Sequence, residues 1–218
     1  MSTHDDFFTQ QRERMVEQQI QRRGIRDPAI IAALREVPRE RFVTDEYRAS
    51  AYDDSALPIP AGQTISQPYV VALMIKALQL SSDDRVLEVG SGSGYAAAVL
   101  SRITSEVYAV ERHEELVTYA RKRLTDLGYD NVHVRHADGT MGWPEHAPYE
   151  GILVSASGPR VPQPLREQLA TGGRLVMPIG QARGMQTLVR LTRTDEDQFK
   201  KKDLGGVRFV PLIGEQGW

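Results

Sequence analysis

Five short β-branched runs set at helix-length intervals constrain this chain more than any other feature of it. They are RVLEVG (85–90), EVYAVE (106–111), NVHVRHAD (131–138), GILVSA (151–156) and GRLVMPIG (173–180). Strands that pair in parallel need a crossover between them, and HEELVTYARKRLTDLG (113–128), ended by Gly128, is the clearest of the intervening helices. The pattern predicts an α/β fold: a doubly wound, mostly parallel sheet with helices on its faces. Past residue 184 the rhythm changes. MQTLVRLTRT (185–194), the acidic turn DEDQ and VRFVPLI (207–213) look like strands joined without helices, which makes seven strands with an antiparallel far edge. Lys200, Lys201 and Lys202 sit beside Asp195, Glu196, Asp197 and Asp203 and read as a solvated hairpin end.

The first third is helical and irregular. A polar helix around 5–23 should stop at Gly24, and a second should open with Asp27 as N-cap and Pro28 at N1. That second helix carries Ile30, Ile31, Leu34 and Val37 on one face before Pro38 ends it. SALPIPAGQTISQP (55–68), with three prolines, reads as a loop of fixed corners. Ser66 then stands where an N-cap belongs, ahead of a helix with Val70, Met74, Ala77 and Leu78 at helical spacing. The whole reads as one domain: N-terminal helices and a loop over 1–80, an α/β core over 81–184, and antiparallel strands over 185–218.

Several functions are excluded early. The chain has 218 residues, no cysteine and a net charge of −2, so disulfides, thiolate catalysis and zinc–thiolate sites are ruled out, and nucleic acid is not an expected partner. His133 and His136 would point to opposite faces of a strand, so no metal site is expected. No apolar run approaches membrane-spanning length and the N-terminal stretch lacks a secretory core, so a cytoplasmic protein away from membranes is expected. With no exposed apolar heptad in evidence, a monomer is expected.

The chemistry lies at the carboxyl ends of the strands. EVGSGSGY (88–95) places Gly90, Gly92 and Gly94 between the first strand and its helix, a turn that lets backbone approach a ligand and aims helix N–H groups at it. Glycines in such a turn are weak evidence alone, since tight turns need them anyway. Glu111 ends the second strand, where it could accept from two ribose hydroxyls, and Asp138-Gly139 ends the third, within reach of an adenine amino group. Each has a plainer reading: Glu111 as a helix cap, Asp138 as a turn residue, Glu88 as one half of an ion pair. Together, at three successive strand ends, they outline a nucleoside site.

With these residues in view, the chain resembles the protein-L-isoaspartate O-methyltransferases from about Met15 to Trp218. GQTISQPY (62–69), EVGSGSGY, ADG (137–139), TGGRLVMPIG (171–180) and VRFVPLIG (207–214) follow that family's motifs in order. The resemblance implies the S-adenosylmethionine-dependent methyltransferase form of the sheet, with S-adenosylmethionine as cofactor, S-adenosylhomocysteine as product and no metal. It makes Ser66 the active-site serine, with Thr64 and Ile65 over the cofactor. Glu88, Gly90, Ser91, Gly92, Gly94, Glu111, Asp138 and Gly139 become cofactor contacts, and Val210 pairs with substrate main chain. Glu150, Gly151 and Gly158 depart from the family pattern, and the segment before Met15 lies outside the matched part.

What the resemblance implies chemically is repair. The substrates would be proteins and peptides carrying L-isoaspartyl residues, whose α-carboxylate is methylated; the ester then closes to a succinimide, and hydrolysis returns part of it to aspartate. A carboxylate with a pKa of about 4 is ionised at neutral pH and needs no general base, so positioning and desolvation carry the catalysis. Two alternatives share the same motifs: another S-adenosylmethionine-dependent carboxyl- or O-methyltransferase, and a cofactor-binding module without activity.

Overall fold

The computed structural model describes residues 3–182 and 184–218. Helix α1 (Thr3–Met15) runs directly into a π-helical turn, Val16–Gln21, before Gly24 reverses the chain at φ +87°. The single helix expected over 5–23 is thus two segments. The wider turn brings Val16 and Ile20 inward beside Met15, and all three are buried. Asp27 caps α2 (Pro28–Glu36), its Oδ1 accepting from the Ala29 and Ile30 amides at 3.0 and 3.2 Å, and Ile30, Ile31, Leu34 and Val37 are buried. Two 3₁₀ turns follow, Arg39–Arg41 and Asp45–Ser50.

The proline-rich stretch is more ordered than a loop. Leu57–Ile59 (β1) pairs antiparallel with Gln63–Ile65 (β2) around a turn in which Ala61 and Gly62 both have positive φ. Pro58 is accommodated because this is an isolated two-stranded ribbon, where an absent N–H need cost no ladder bond. Helix α3 spans Pro68–Leu78 with Gln67, not Ser66, as its N-cap and Pro68 at N1. Proline at N1 fixes the cap one residue later than a serine-cap reading suggests.

The remaining elements alternate: β3 (Arg85–Val89), α4 (Tyr95–Ser101), β4 (Glu106–Glu111), α5 (Glu114–Asp126), β5 (Val132–His136), β6 (Tyr149–Val154), α6 (Gln163–Glu167), β7 (Leu169–Gly180), β8 (Gln186–Asp195) and β9 (Gln198–Val207). They form one seven-stranded sheet in the order β5-β4-β3-β6-β7-β8-β9, parallel from β5 to β7 and antiparallel beyond. The far edge differs in register from the expected strands. Lys200, Lys201 and Lys202 lie within β9 rather than at the hairpin end, and of VRFVPLI only Val207 belongs to β9, the rest being a tail with a parallel bridge from Pro211 to Ser157.

Each strand alternates between two cores. Val86, Val107, Leu153 and Val176 face the N-terminal helices with α3, α4 and α5, while Leu87, Val110, Ile152 and Leu175 face α6 and the tail residue Leu212. Glu150, one of the departures from the family pattern, accepts a bond from the Arg85 amide at 2.8 Å and so caps the start of β3. A Cβ at Gly151 would stand 2.7 Å from the end of the Leu80 side chain, and one at Gly158 2.7 Å from the end of the Met177 side chain, so a larger residue at either needs those flexible ends to shift. Among the described residues no helix is long and apolar enough to cross a membrane.

Candidate functional site

From β3 the chain steps outward to β4 and β5, then returns to the other flank of β3 as β6. That reversal opens a crevice beyond the carboxyl ends of β3, β4 and β6, the place where open α/β sheets receive ligands. A cavity of ≈ 420 Å³ occupies it. Gly90 and Gly92 of the glycine turn form its floor, and Gly90, Gly92 and Gly94 have φ of +83°, +54° and +88°, a path that L side chains rarely follow. Gly94 faces away from the cavity toward Ala120 and Leu124 of α5, so it is not placed as the expected cofactor contact. A Cβ on Gly92 would also meet Ile59 of the β1–β2 ribbon at 3.2 Å. The ribbon forms the roof, contributing Gly62, Gln63, Thr64 and Ile65.

Of the seven acidic or glycine positions expected at the site, five line this cavity, Glu88, Gly90, Gly92, Glu111 and Gly139, while Gly94 and Asp138 do not. Glu111 is buried, its Oε2 accepting from the Gly92 amide at 3.0 Å and its Oε1 from the His113 amide at 2.9 Å. Glu111 thus braces the glycine turn and holds the His113 amide just ahead of α5, which itself has no side-chain cap. Each oxygen keeps a further lone pair for a hydroxyl donor. Glu88 is 1% exposed and its Oε2 has no partner. Burial, with the Glu111 charge in support and a bond from the Ala97 amide against, pushes its carboxyl up to about 8. Ser91 is likewise buried with an unpartnered hydroxyl.

Asp138 sits differently. Its carboxylate turns from the cavity to the chain's own tail: Oδ1 accepts from the Thr140 amide and hydroxyl, both at 2.8 Å, and Oδ2 from the Glu215 amide at 2.8 Å. Only its neighbour Gly139 lines the cavity, packed so closely that a Cβ would lie 2.6 Å from Val89.

A second cavity of ≈ 590 Å³ adjoins the first and shares Thr64, Ser66, Ser155 and Val210 with it. Gln67, Val70, Met185, Arg208 and Phe209 form much of its remaining wall. The Val210 carbonyl already accepts from the Ser157 amide at 2.8 Å, which leaves the Val210 amide as the main-chain group there for a visitor. Ser155, Tyr95, Arg112 and His113 line the inner cavity without having been singled out from the sequence. Ser155 carries a usable signal, since it follows β6 at the same level as the glycine turn follows β3. Tyr95 carries less, since an aromatic at the start of a helix is ordinary.

The donors fit an adenosyl group bearing a cationic side chain. A glycine turn and Gly139 admit flat contact, Glu111 has acceptor capacity for vicinal hydroxyls, and the orphaned Glu88 oxygen and Ser91 hydroxyl lack partners that a bound polar group would supply. Among the described residues no cluster of His, Asp and Glu is placed to hold a metal ion.

Comparison with known proteins agrees in sequence and in fold. Residues 10–217 match the family model described as protein-L-isoaspartate(D-aspartate) O-methyltransferase. A protein-L-isoaspartate O-methyltransferase 2 of Pelobacter propionicus is 60% identical over 95% of this chain and 92% of its own length. A protein-L-isoaspartate O-methyltransferase 1 of Rhodopseudomonas palustris is 58% identical over 97% of this chain and 86% of its own. Among solved structures, one protein-L-isoaspartate O-methyltransferase superposes with a TM-score of 0.86 at 31% identity, over 94% of this chain and 67% of its own. Another, a putative enzyme of that kind from Plasmodium falciparum in complex with S-adenosyl-L-homocysteine, gives 0.80 at 26% identity, over 94% and 98%.

Proposed function

Since the chain belongs to the protein-L-isoaspartate(D-aspartate) O-methyltransferase family, we propose that its joined cavities serve one reaction, methylation of the α-carboxylate of L-isoaspartyl residues in damaged proteins and peptides. The observation that carries this is the shared wall: Thr64, Ser66, Ser155 and Val210 border both a nucleoside-sized cavity at the glycine turn and a second cavity walled by Gly206, Val207, Arg208 and Phe209. The second cavity, of ≈ 590 Å³, is bordered by the tail and by the exposed Met185, where a peptide segment has access beside the cofactor site.

The inner cavity would hold S-adenosylmethionine, with Glu111 toward the ribose, Gly139 toward the adenine and Glu88 toward the cationic end, while Thr64 and Ile65 cover it. When bound, that cofactor supplies an activated methyl group on a sulfonium. What the protein must add is placement. The substrate carboxylate is ionised at neutral pH, so the chain needs no base; it needs a donor to seat one oxygen and a wall that strips water. The Ser66 hydroxyl, on the border of the two cavities, is the donor that fits, and the Val210 amide offers a bond to substrate backbone.

Isomer choice follows from having to satisfy both at once. In an isoaspartyl residue the backbone runs through the side-chain carbonyl, which lengthens the main chain by one methylene and leaves an α-carboxylate free. The normal isomer cannot place its carboxylate at Ser66 and keep the backbone bond. Sites that leave a buried partner unpaired reject an analogue by roughly 10⁴-fold. Matched peptides differing only in Asp against isoAsp, assayed with radiolabelled cofactor in several flanking contexts, test this. Discrimination under tenfold would point instead to another carboxyl methyltransferase on the same fold, and no methylation of either isomer would point to a binding module.

A further inference from the structure

Ser66 caps no helix, so something else must fix it. Its carbonyl accepts a 2.8 Å bond from Nη2 of Arg39, a residue of the first 3₁₀ turn with no exposed surface. Nε of the same guanidinium donates to the Ala51 carbonyl at 2.7 Å, and its Cζ lies over the Tyr95 ring, 4.7 Å from the centroid. Tyr95 opens α4 immediately after the glycine turn and lines the inner cavity. One planar side chain therefore touches the Ser66 loop, the Ala51 turn and the first residue of the cofactor-side helix. Arg39 itself lines neither cavity.

The arrangement is an expensive one for mere packing. Arg39 pairs with no carboxylate among the described residues, and its neighbour Glu40 is bonded to the Tyr52 hydroxyl. Burial draws its pKa below the usual guanidinium value, though the polar Tyr95 and Tyr52 work against this. No well-formed hydrogen bond reaches Nη1 of Arg39 or the Tyr95 hydroxyl, although the guanidinium and that phenol act on each other electrostatically. An apolar side chain would fill this space at less cost. It could not, however, hold two carbonyls from separate segments in one plane while stacking on a ring, which is what a guanidinium does. Because the peptide is trans, holding the Ser66 oxygen on Arg39 also turns the Gln67 N–H away from it and sets the direction in which the Ser66 side chain leaves the loop.

We propose that Arg39 is a positioning residue for methyl transfer, tying the Ser66 loop to the cofactor-side helix through Tyr95 so that filling the inner cavity orders the loop that receives the substrate carboxylate. This rests on the function proposed above. Binding of the two ligands is then coupled: S-adenosylhomocysteine tightens an isoaspartyl peptide by at least fivefold, and the peptide tightens S-adenosylhomocysteine by the same factor.

Calorimetric titration of the peptide with and without S-adenosylhomocysteine reads the coupling directly. Arg39→Lys, a cation without the planar fork, should bring the factor close to one and lower kcat at least tenfold, with S-adenosylhomocysteine still bound and circular dichroism unchanged. Tyr95→Leu, which keeps both Arg39 carbonyl bonds but removes the ring, should lose coupling in the same way. A purely structural Arg39 predicts a lower melting temperature with coupling and kcat intact, and that result overturns the proposal. Should either variant fail to fold, amide hydrogen exchange on the wild-type protein decides. S-adenosylhomocysteine should slow exchange across residues 39–52, which line neither cavity, and unchanged exchange there overturns the link. A wild-type chain inert toward isoaspartyl peptide would count against the proposed function, while the exchange measurement still tests Arg39.

Discussion

Glu88 is the residue whose behaviour departs furthest from its type. An ordinary glutamate ionises near 4.5, and this one is held protonated to about 8, first by burial and then by the nearby charge of Glu111. Between those values the folded protein keeps a proton that the unfolded chain has released. Its contribution to stability is therefore complete below about 4.5 and is lost as pH rises through about 8. Thermal melts of the ligand-free protein between pH 5 and 9 should show stability falling toward the alkaline end. Glu88→Gln, which keeps the shape and removes the titration, should flatten that fall and melt above the wild type at pH 9. A variant with the same pH profile as wild type would mean that Glu88 ionises normally, and that its orphaned oxygen is hydrated rather than waiting for a cation.

At the scale of elements, the sheet was legible and the segments that hold its ligand site were less so. Strands β3, β4, β6 and β7 announce themselves because both faces are buried, and α2 because Asp27 and Pro28 mark its start unambiguously. The β1–β2 ribbon does not, since prolines argue against strands except where a strand lies alone. β9 is hidden by its exposure: most of its residues face solvent, so its composition is that of a turn, while the more apolar stretch after Val207 is held by main-chain bonds to Ser157 and not by a ladder. Glycine spacing and strand-end acids located the inner cavity, but nothing in a local pattern reveals that Arg39 reaches Ser66, because that contact spans 27 residues.

The boundary of α3 has a measurable consequence of its own. A serine N-cap replaced by alanine costs about 1 kcal/mol. Ser66 precedes the cap residue Gln67 and makes no such bond, so Ser66→Ala should leave the melting temperature within error of wild type. Its effect should fall on turnover instead: loss of the donor that seats the substrate carboxylate in line with the methyl group is expected to lower kcat on isoaspartyl peptide by about 10²-fold, with S-adenosylhomocysteine affinity nearly unchanged. Stopped-time methylation beside calorimetry distinguishes these. Equal turnover in variant and wild type would remove Ser66 from the reaction altogether.

The whole molecule closes its site with segments far apart in the chain: a ribbon from 57–65, strand ends from 88–139, and the tail from 210 onward. One of those closures bears on how the protein itself grows old. Asp138-Gly139 is the kind of dipeptide most exposed to isomerisation, because glycine leaves its amide free to attack the preceding side chain. That attack needs a protonated, unencumbered carboxyl group, since a carboxylate is a poor electrophile. Burial alone would favour the protonated form here, but bonds from the Glu215 amide and from Thr140, with the charge of Arg112, prevail and hold Asp138 below the usual carboxylate range. The acid side therefore stays ionised and engaged on both oxygens for as long as the tail remains docked. Incubated for weeks at neutral pH and mapped by peptide mass analysis, the folded protein should accumulate isoaspartate at 138 far more slowly than the same segment as a free peptide. Equal rates would show that the tail gives no shelter. An enzyme for mending aged backbone would, on this account, carry a site of the damage it repairs beside its own cofactor, kept young by the fold that puts it to use.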